Sequence, residues 1–165
     1  MADSGLIVVA CTANICRSPM GEALLKHALK AEPPPLRDLR VVSAGVAARE
    51  GDAVSPNSVT ALRKVGLDIV NHRSQPLSPE LLSEALAVFV MTESHRQIMA
   101  AMFTPRPDNI FLLREFMPRE ADKQIGDPYG GSLAEYEATR DEIVEAIPSV
   151  LKFLRERVAA ADADA

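Results

Sequence analysis

Short apolar runs alternate with amphipathic stretches along most of the chain. Leu6-Ile7-Val8-Val9-Ala10 is uninterrupted and rich in β-branched residues, the pattern of a strand buried on both faces. Ser18 followed by Pro19 predicts a helix start, a capping residue with proline at the first helical position. That helix runs to about Lys30 and stops at Pro33-Pro34-Pro35. A second strand is expected over 39–44, then a helix over 56–65 that ends at Gly66. Ser78-Pro79-Glu80 opens a short helix before a third buried strand over 86–91. Thr92 caps a helix to about Phe103, and 109–113 form a fourth strand. A Pro/Gly-rich, charged segment over 117–131 leads into the last helix, which begins near Ser132. Its Leu133, Tyr136, Ile143, Ile147, Val150, Leu154 and Val158 recur on one face at helical spacing. Pro148 lies inside that pattern and is expected to kink or split the helix, because it removes a backbone donor. The Ala/Asp tail over 159–165 is expected to fray.

Strands that alternate with helices imply parallel βαβ units. The expected fold class is α/β, three layers, with a four-stranded parallel sheet covered by helices on both faces. Open sheets of this kind place ligands beyond the carboxyl ends of their strands. The segment that follows the first strand therefore falls where a site belongs.

A length of 165 residues suits one domain, here 1–165 with an ordered core over about 5–158. Apolar residues at 47% and charged residues at 25% argue against disorder. The longest apolar runs fall far short of the ~18 residues of a membrane span. Asp3 stands where a basic signal region would be, and Pro19 where its cleavage region would lie. A cytoplasmic protein with no membrane association is expected. The formal charge of −5 is a poor match for nucleic acid, so phosphate recognition must be local. Cys11 and Cys16 cannot form a disulfide scaffold. They complete no metal-ligand spacing with His27, His72 and His95, so neither a metal nor another cofactor is expected.

Cys11-Thr12-Ala13-Asn14-Ile15-Cys16-Arg17-Ser18 separates a cysteine from an arginine by five residues and adds a hydroxyl. A loop of this length between a strand end and a helix start can curl its N–H groups onto one anion. Arg17 adds a planar fork for two phosphate oxygens. The same donors favour a thiolate at Cys11, a nucleophile aimed at phosphorus. Asp127, in Gly126-Asp127-Pro128 just before a helix, is a carboxyl group on a separate loop that could reach over the cradle.

The segment resembles the signature loop of low-molecular-weight protein tyrosine phosphatases, Ser18-Pro19 included. The resemblance extends through Ser43-Ala44-Gly45, Asn71-His72, Met91-Thr92-Glu93-Ser94 and Asp127-Pro128-Tyr129-Gly130, over roughly residues 6–155. It is nearest to a bacterial branch that also contains protein arginine phosphatases. It implies a flavodoxin-like fold and a phosphorylated protein as substrate. By resemblance Cys11 becomes a phosphocysteine and Arg17 clamps the phosphoryl oxygens. Thr12, Ala13, Asn14, Ile15 and Cys16 form the loop that binds phosphate. Ser18 bonds the Cys11 sulfur, and Asn14 holds a left-handed turn steadied by Ser18, Ser43 and His72. Asp127 is the general acid and then the base. His27 and His95 are expected to be ordinary surface or core residues. Cys16 lies close enough in sequence to trap an oxidised Cys11 as a disulfide.

Departures fall on the substrate-facing side. Val46-Ala47-Ala48-Arg49-Glu50 has no aromatic residue where the family often does, and Gly130 replaces a second tyrosine. Ala13 replaces a glycine. The entrance is expected from Ile15, Ala47, Arg49 and Tyr129. Phosphotyrosine is the expected substrate, because Ile15 stands where the arginine phosphatases typically have threonine. Phosphoarginine is the alternative. Arsenate reduction would need a further cysteine pair in its thioredoxin-coupled form, and a phosphate-binding module would not need Asp127. The sequence leaves the oligomeric state open, a monomer included.

Overall fold

The computed structural model describes residues 5–163. Asp3, used in the export argument, and the last two residues of the tail lie outside them. β1 (Leu6–Cys11) is buried at every position, as its uninterrupted apolar run requires. With β2 (Arg40–Gly45), β3 (Ala85–Val90) and β4 (Ile110–Leu112) it forms a parallel sheet in the order β2-β1-β3-β4. Cys11 pairs with Gly45 on one side, and Ala10 with Val90 on the other. The chain leaves β1 toward one neighbour and returns on the opposite side. The carboxyl end of β1 is therefore the point where strand order reverses, and a crevice opens there.

Alternate residues of β1 serve two cores. Ile7, Val9 and Cys11 meet Met20 and Leu25 of α1 (Arg17–Lys30) and Ile143 and Val150 of α5 (Leu133–Ala163). Leu6, Val8 and Ala10 meet Leu82 of α3 (Pro79–Glu84) and Met99 of α4 (Glu93–Met102). α2 (Pro56–Arg63) packs against α1 and α5. The architecture is the expected three-layer α/β fold. Each buried aliphatic side chain is worth roughly 1.5–3 kcal/mol. A one-residue slip of β1 would exchange both faces at once, so its register is strongly held.

Three local expectations are corrected. Ser18 is not the cap of α1: the helix begins at Arg17 with Cys16 at the cap position and no side-chain cap bond. The Ser18 hydroxyl is spent on Asn14 and Cys11 instead. Pro148 does not split α5, which runs unbroken through it. The carbonyl that proline leaves without a donor belongs to Val144, an exposed residue, where water can serve it. Helix α5 also extends past Val158, to Ala163. A single 3₁₀ turn, Leu36–Asp38, enters β2 and was not anticipated. Among the described residues, no helix is long and apolar enough to cross a membrane.

Candidate active site

Residues 12–16 link β1 to α1, and Asn14 sets the loop's shape. Its φ of 60° is left-handed, a conformation asparagine tolerates better than most residues. Four hydrogen bonds hold it there. Its Nδ2 donates to Ser18 Oγ at 2.7 Å and to Ser43 Oγ at 3.0 Å. Its Oδ1 accepts from Gln75 N at 3.0 Å, and its carbonyl accepts from His72 Nε2 at 2.9 Å. Ser43 in turn donates to Glu22 Oε1 at 2.6 Å. Among the described residues, no protein group accepts from the backbone N–H groups of 12–16. Unpaired donors gathered at a helix N-terminus make an anion cradle.

Gly45 lets the neighbouring strand approach this loop. Val46 N and Ala47 N donate to the carbonyls of Cys11 and Thr12, each at 2.9 Å. A Cβ on Gly45 would stand 2.5 Å from the Thr12 carbonyl oxygen, closer than atoms can pack.

Cys11, Ser18, Arg17 and Asp127 converge on this loop. Ser18 Oγ accepts from Asn14 and lies 3.0 Å from Cys11 Sγ, with the Ala44 carbonyl a more distant acceptor at 3.5 Å, and Ser18 N–H adds a longer contact to the sulfur at 3.4 Å. The Arg17 guanidinium is buried. Its Nη1 donates to Ile125 O at 2.9 Å and its Nη2 to Thr12 Oγ1 at 3.3 Å, while Asp127 Oδ2 lies 3.6 Å from Nη2. Its Nε is buried without an acceptor, a donor held for an anion. Ile125 is anchored by its N–H to Met91 O, just past β3. Asp127 Oδ1 accepts from Tyr129 N at 3.1 Å, an Asx turn that holds the half-exposed carboxylate at the cleft.

The cleft over Cys11 has a volume of about 360 Å³. Cys11, Thr12, Ala13, Ile15, Cys16 and Arg17 form its floor, and Ala47, Arg49, Asp127 and Tyr129 its walls. Every residue expected at the entrance is there. Asn14, Ser18, Ser43 and His72 lie behind the loop as its supports. A cleft of equal volume against Lys26, His27 and Lys30 on α1 contains none of the reacting groups.

Four participants escaped the sequence reading. Asp52 also lines the cleft, held by Ser74 Oγ, which accepts from its N–H at 2.9 Å. Gln75 and Glu22 brace the Asn14 network. His95, expected to be ordinary, is buried with its Nε2 2.9 Å from Thr12 Oγ1. Only its spacing from Thr92, a reciprocal helix cap, carried a signal. Cys16 contacts Ser55 Oγ at 3.0 Å and Tyr136 OH at 3.4 Å. Burial pushes its thiol pKa up, and pushes the Tyr136 phenol up to about 12, so both are protonated at neutral pH. Among the described residues, no three His, Cys, Asp or Glu side chains group to hold a metal ion.

A cysteine, a loop of open N–H donors and an opposed carboxyl group make an arrangement that suits phosphoryl transfer. The family described as low molecular weight phosphotyrosine protein phosphatase matches residues 6–160, and the chain belongs to it and is a phosphatase. It is 38% identical over 149 residues to a Bacillus subtilis protein named protein-arginine-phosphatase, covering 90% of this chain and 96% of that one. It is 31% identical over 149 residues to a Ralstonia nicotianae protein named probable low molecular weight protein-tyrosine-phosphatase EpsP, covering 90% and 95%. The crystal structure of a YwlE mutant from Bacillus subtilis superposes with a TM-score of 0.80 at 37% identity, covering 91% and 98%.

Proposed function

We propose that this phosphatase hydrolyses phosphotyrosine in proteins through a phosphocysteine intermediate. In the first step the Cys11 thiolate attacks phosphorus, an S–P bond forms, and the P–O bond to tyrosine breaks. Asp127 gives its proton to the departing oxygen, opposite the nucleophile. Arg17 and the N–H groups of 12–16 take the charge that gathers on the three remaining oxygens. In the second step Asp127 removes a proton from water, whose oxygen attacks phosphorus. The S–P bond breaks, and the Ser18 proton stabilises the sulfur as inorganic phosphate forms.

One observation carries the preference for tyrosine. Ile15 is partly exposed on the floor of the cleft, and the Tyr129 ring, 70% exposed, lines the same space. An aryl group gains apolar contact there, whereas a guanidinium would set N–H groups against the Ile15 side chain, which accepts no hydrogen bond. A second reading, phosphoarginine, is favoured by the 38% identity to the relative named for that activity and by two cleft carboxylates, Asp52 and Asp127. The experiment that separates them compares kcat/KM on matched phosphotyrosine and phosphoarginine peptides. Higher values on phosphotyrosine support the proposal, and a preference for phosphoarginine reverses it.

Further parts of the reading follow the same chemistry. The chain works as one domain in the cytoplasm on phosphorylated proteins, without cofactor, nucleic acid or membrane. Cys16 traps a Cys11 sulfenic acid as a disulfide with loss of water, which shields Cys11 from deeper oxidation. Recovery of activity by thiol after mild peroxide tests this, and a Cys16→Ser variant that recovers as well as wild type would refute it.

A further inference from the structure

Thr12 carries a hydroxyl whose bonding is almost fully determined by its neighbours. His95 is the third residue of α4, and its Nδ1 lies 3.3 Å from Thr92 N and 3.2 Å from Thr92 Oγ1. A backbone N–H can only donate, so Nδ1 accepts and the proton of a neutral ring resides on Nε2. Burial, then the Arg17 guanidinium, push the His95 pKa down to about 4 against the pull of Asp127, which keeps the ring neutral at pH 7. Nε2–H therefore donates to Thr12 Oγ1 at 2.9 Å. Arg17 Nη2, which also can only donate, reaches the same oxygen at 3.3 Å. Both lone pairs of the hydroxyl are then engaged, and its own proton has to go elsewhere. Thr12 is exposed on the floor of the cleft, and among the described residues no protein acceptor faces that proton.

We propose that Thr12 is a further catalytic residue, whose hydroxyl donates to a phosphoryl oxygen of the substrate, and that His95 is the residue that positions it. The inference rests on the phosphatase reading and extends it. A free threonine hydroxyl can donate or accept as it rotates. The bond from His95, itself oriented by the Thr92 cap, turns this one into a donor only, aligned before substrate arrives. A donor fixed in advance is worth most where negative charge grows during reaction, on the equatorial oxygens of the transferring group. The hydroxyl sits beside Arg17 and shares that task. The proton of the leaving group remains the task of Asp127.

Three comparisons test this. Thr12→Val keeps the side-chain shape and removes the donor. It is expected to lower kcat/KM about tenfold or more, the scale of a lost hydrogen bond to a charged group. The loss should be equal for aryl phosphates with good and poor leaving groups, and vanadate inhibition should weaken in parallel. Thr12→Ser, which keeps a hydroxyl, should recover activity to within about threefold of wild type. His95→Ala should cost activity in the wild-type background and nothing further beside Thr12→Val. A Thr12→Val enzyme as active as wild type overturns the proposal. So does a His95→Ala loss of equal size in both backgrounds, because His95 would then act through the fold alone. If His95→Ala does not fold, the Thr12→Val and Thr12→Ser pair decides by itself. Failure of the phosphatase reading is a separate result, a wild-type protein that turns over no aryl phosphate.

Discussion

The loop from Cys11 to Ser18 and the rim from Ala47 to Asp52 face one cleft and are built in opposite ways. In the loop the side chains are fixed while the backbone N–H groups stay open to an anion: Asn14 makes four hydrogen bonds from a buried position, and Ser18 and Arg17 are buried beside it. On the rim, Arg49 is 85% exposed and its ion pair with Asp52 lies in solvent, where such pairs are worth little. The rim is pinned through its backbone, at Ala47 by the Thr12 carbonyl and at Arg49 and Asp52 by Ser74. The loop is fixed in advance and the side chains of the rim are not. Changes in the loop should therefore cost rate by orders of magnitude, and changes around the rim should shift preference by about tenfold.

The largest effect belongs to Cys11→Ser. Turnover should vanish while phosphate or vanadate binding persists, because the cradle is made of backbone groups and Arg17. Residual activity within tenfold of wild type would remove Cys11 from its role. Next in size, Asp127→Ala should slow hydrolysis of poor leaving groups by roughly 10²–10⁴, the usual worth of a positioned acid. Leaving groups that need no proton should lose much less in the first step, and a uniform loss across a leaving-group series would refute the assignment.

Ile15→Thr crosses from loop to rim and should change preference rather than rate. A hydroxyl in place of the ethyl branch offers guanidinium an acceptor. The phosphoarginine to phosphotyrosine ratio of kcat/KM should rise about tenfold, about 1.4 kcal/mol. An unchanged ratio would mean that Ile15 does not set substrate choice.

The smallest effect at neutral pH concerns His95, which ties the loop to α4. Its folded pKa of about 4 lies below the ordinary histidine value, chiefly through burial. As pH falls below about 6.5 the unfolded chain takes up this proton first, so the contribution to stability is full above that pH. It declines toward pH 4 and is lost below it. Urea midpoints followed from pH 7 to pH 4 should fall more steeply for wild type than for His95→Gln. Equal slopes would show that His95 protonates as readily in the folded protein.

What could be read in advance follows the same division. Cys11, Asn14, Arg17 and Ser18 were legible because the cradle needs them contiguous, at a spacing set by one turn between strand and helix. The strands were legible as short apolar runs, and the helices from their prolines, their capping residues and, in α5, a helical apolar period. His95 was not, because its bond to Thr12 spans 83 positions and exists only where β3 lies beside β1. Asp52 and Gln75 act from loops whose location depends on contacts outside their own segments. Ser18 shows a local rule yielding to a distant demand. Its capping signature was real, yet the buried Asn14 and the Cys11 sulfur claimed its hydroxyl.

The central claim is a phosphoryl group carried on Cys11 between two steps. The Asp127→Ala enzyme mixed with an activated aryl phosphate tests it directly, since the first step then needs no acid and the second lacks its base. Quenching in neutral detergent and mapping by mass spectrometry should find one phosphoryl group on the Cys11 peptide, at a level that rises to a plateau. Continued release of phosphate with Cys11 unmodified throughout, or phosphorylation of a different residue, would contradict the account.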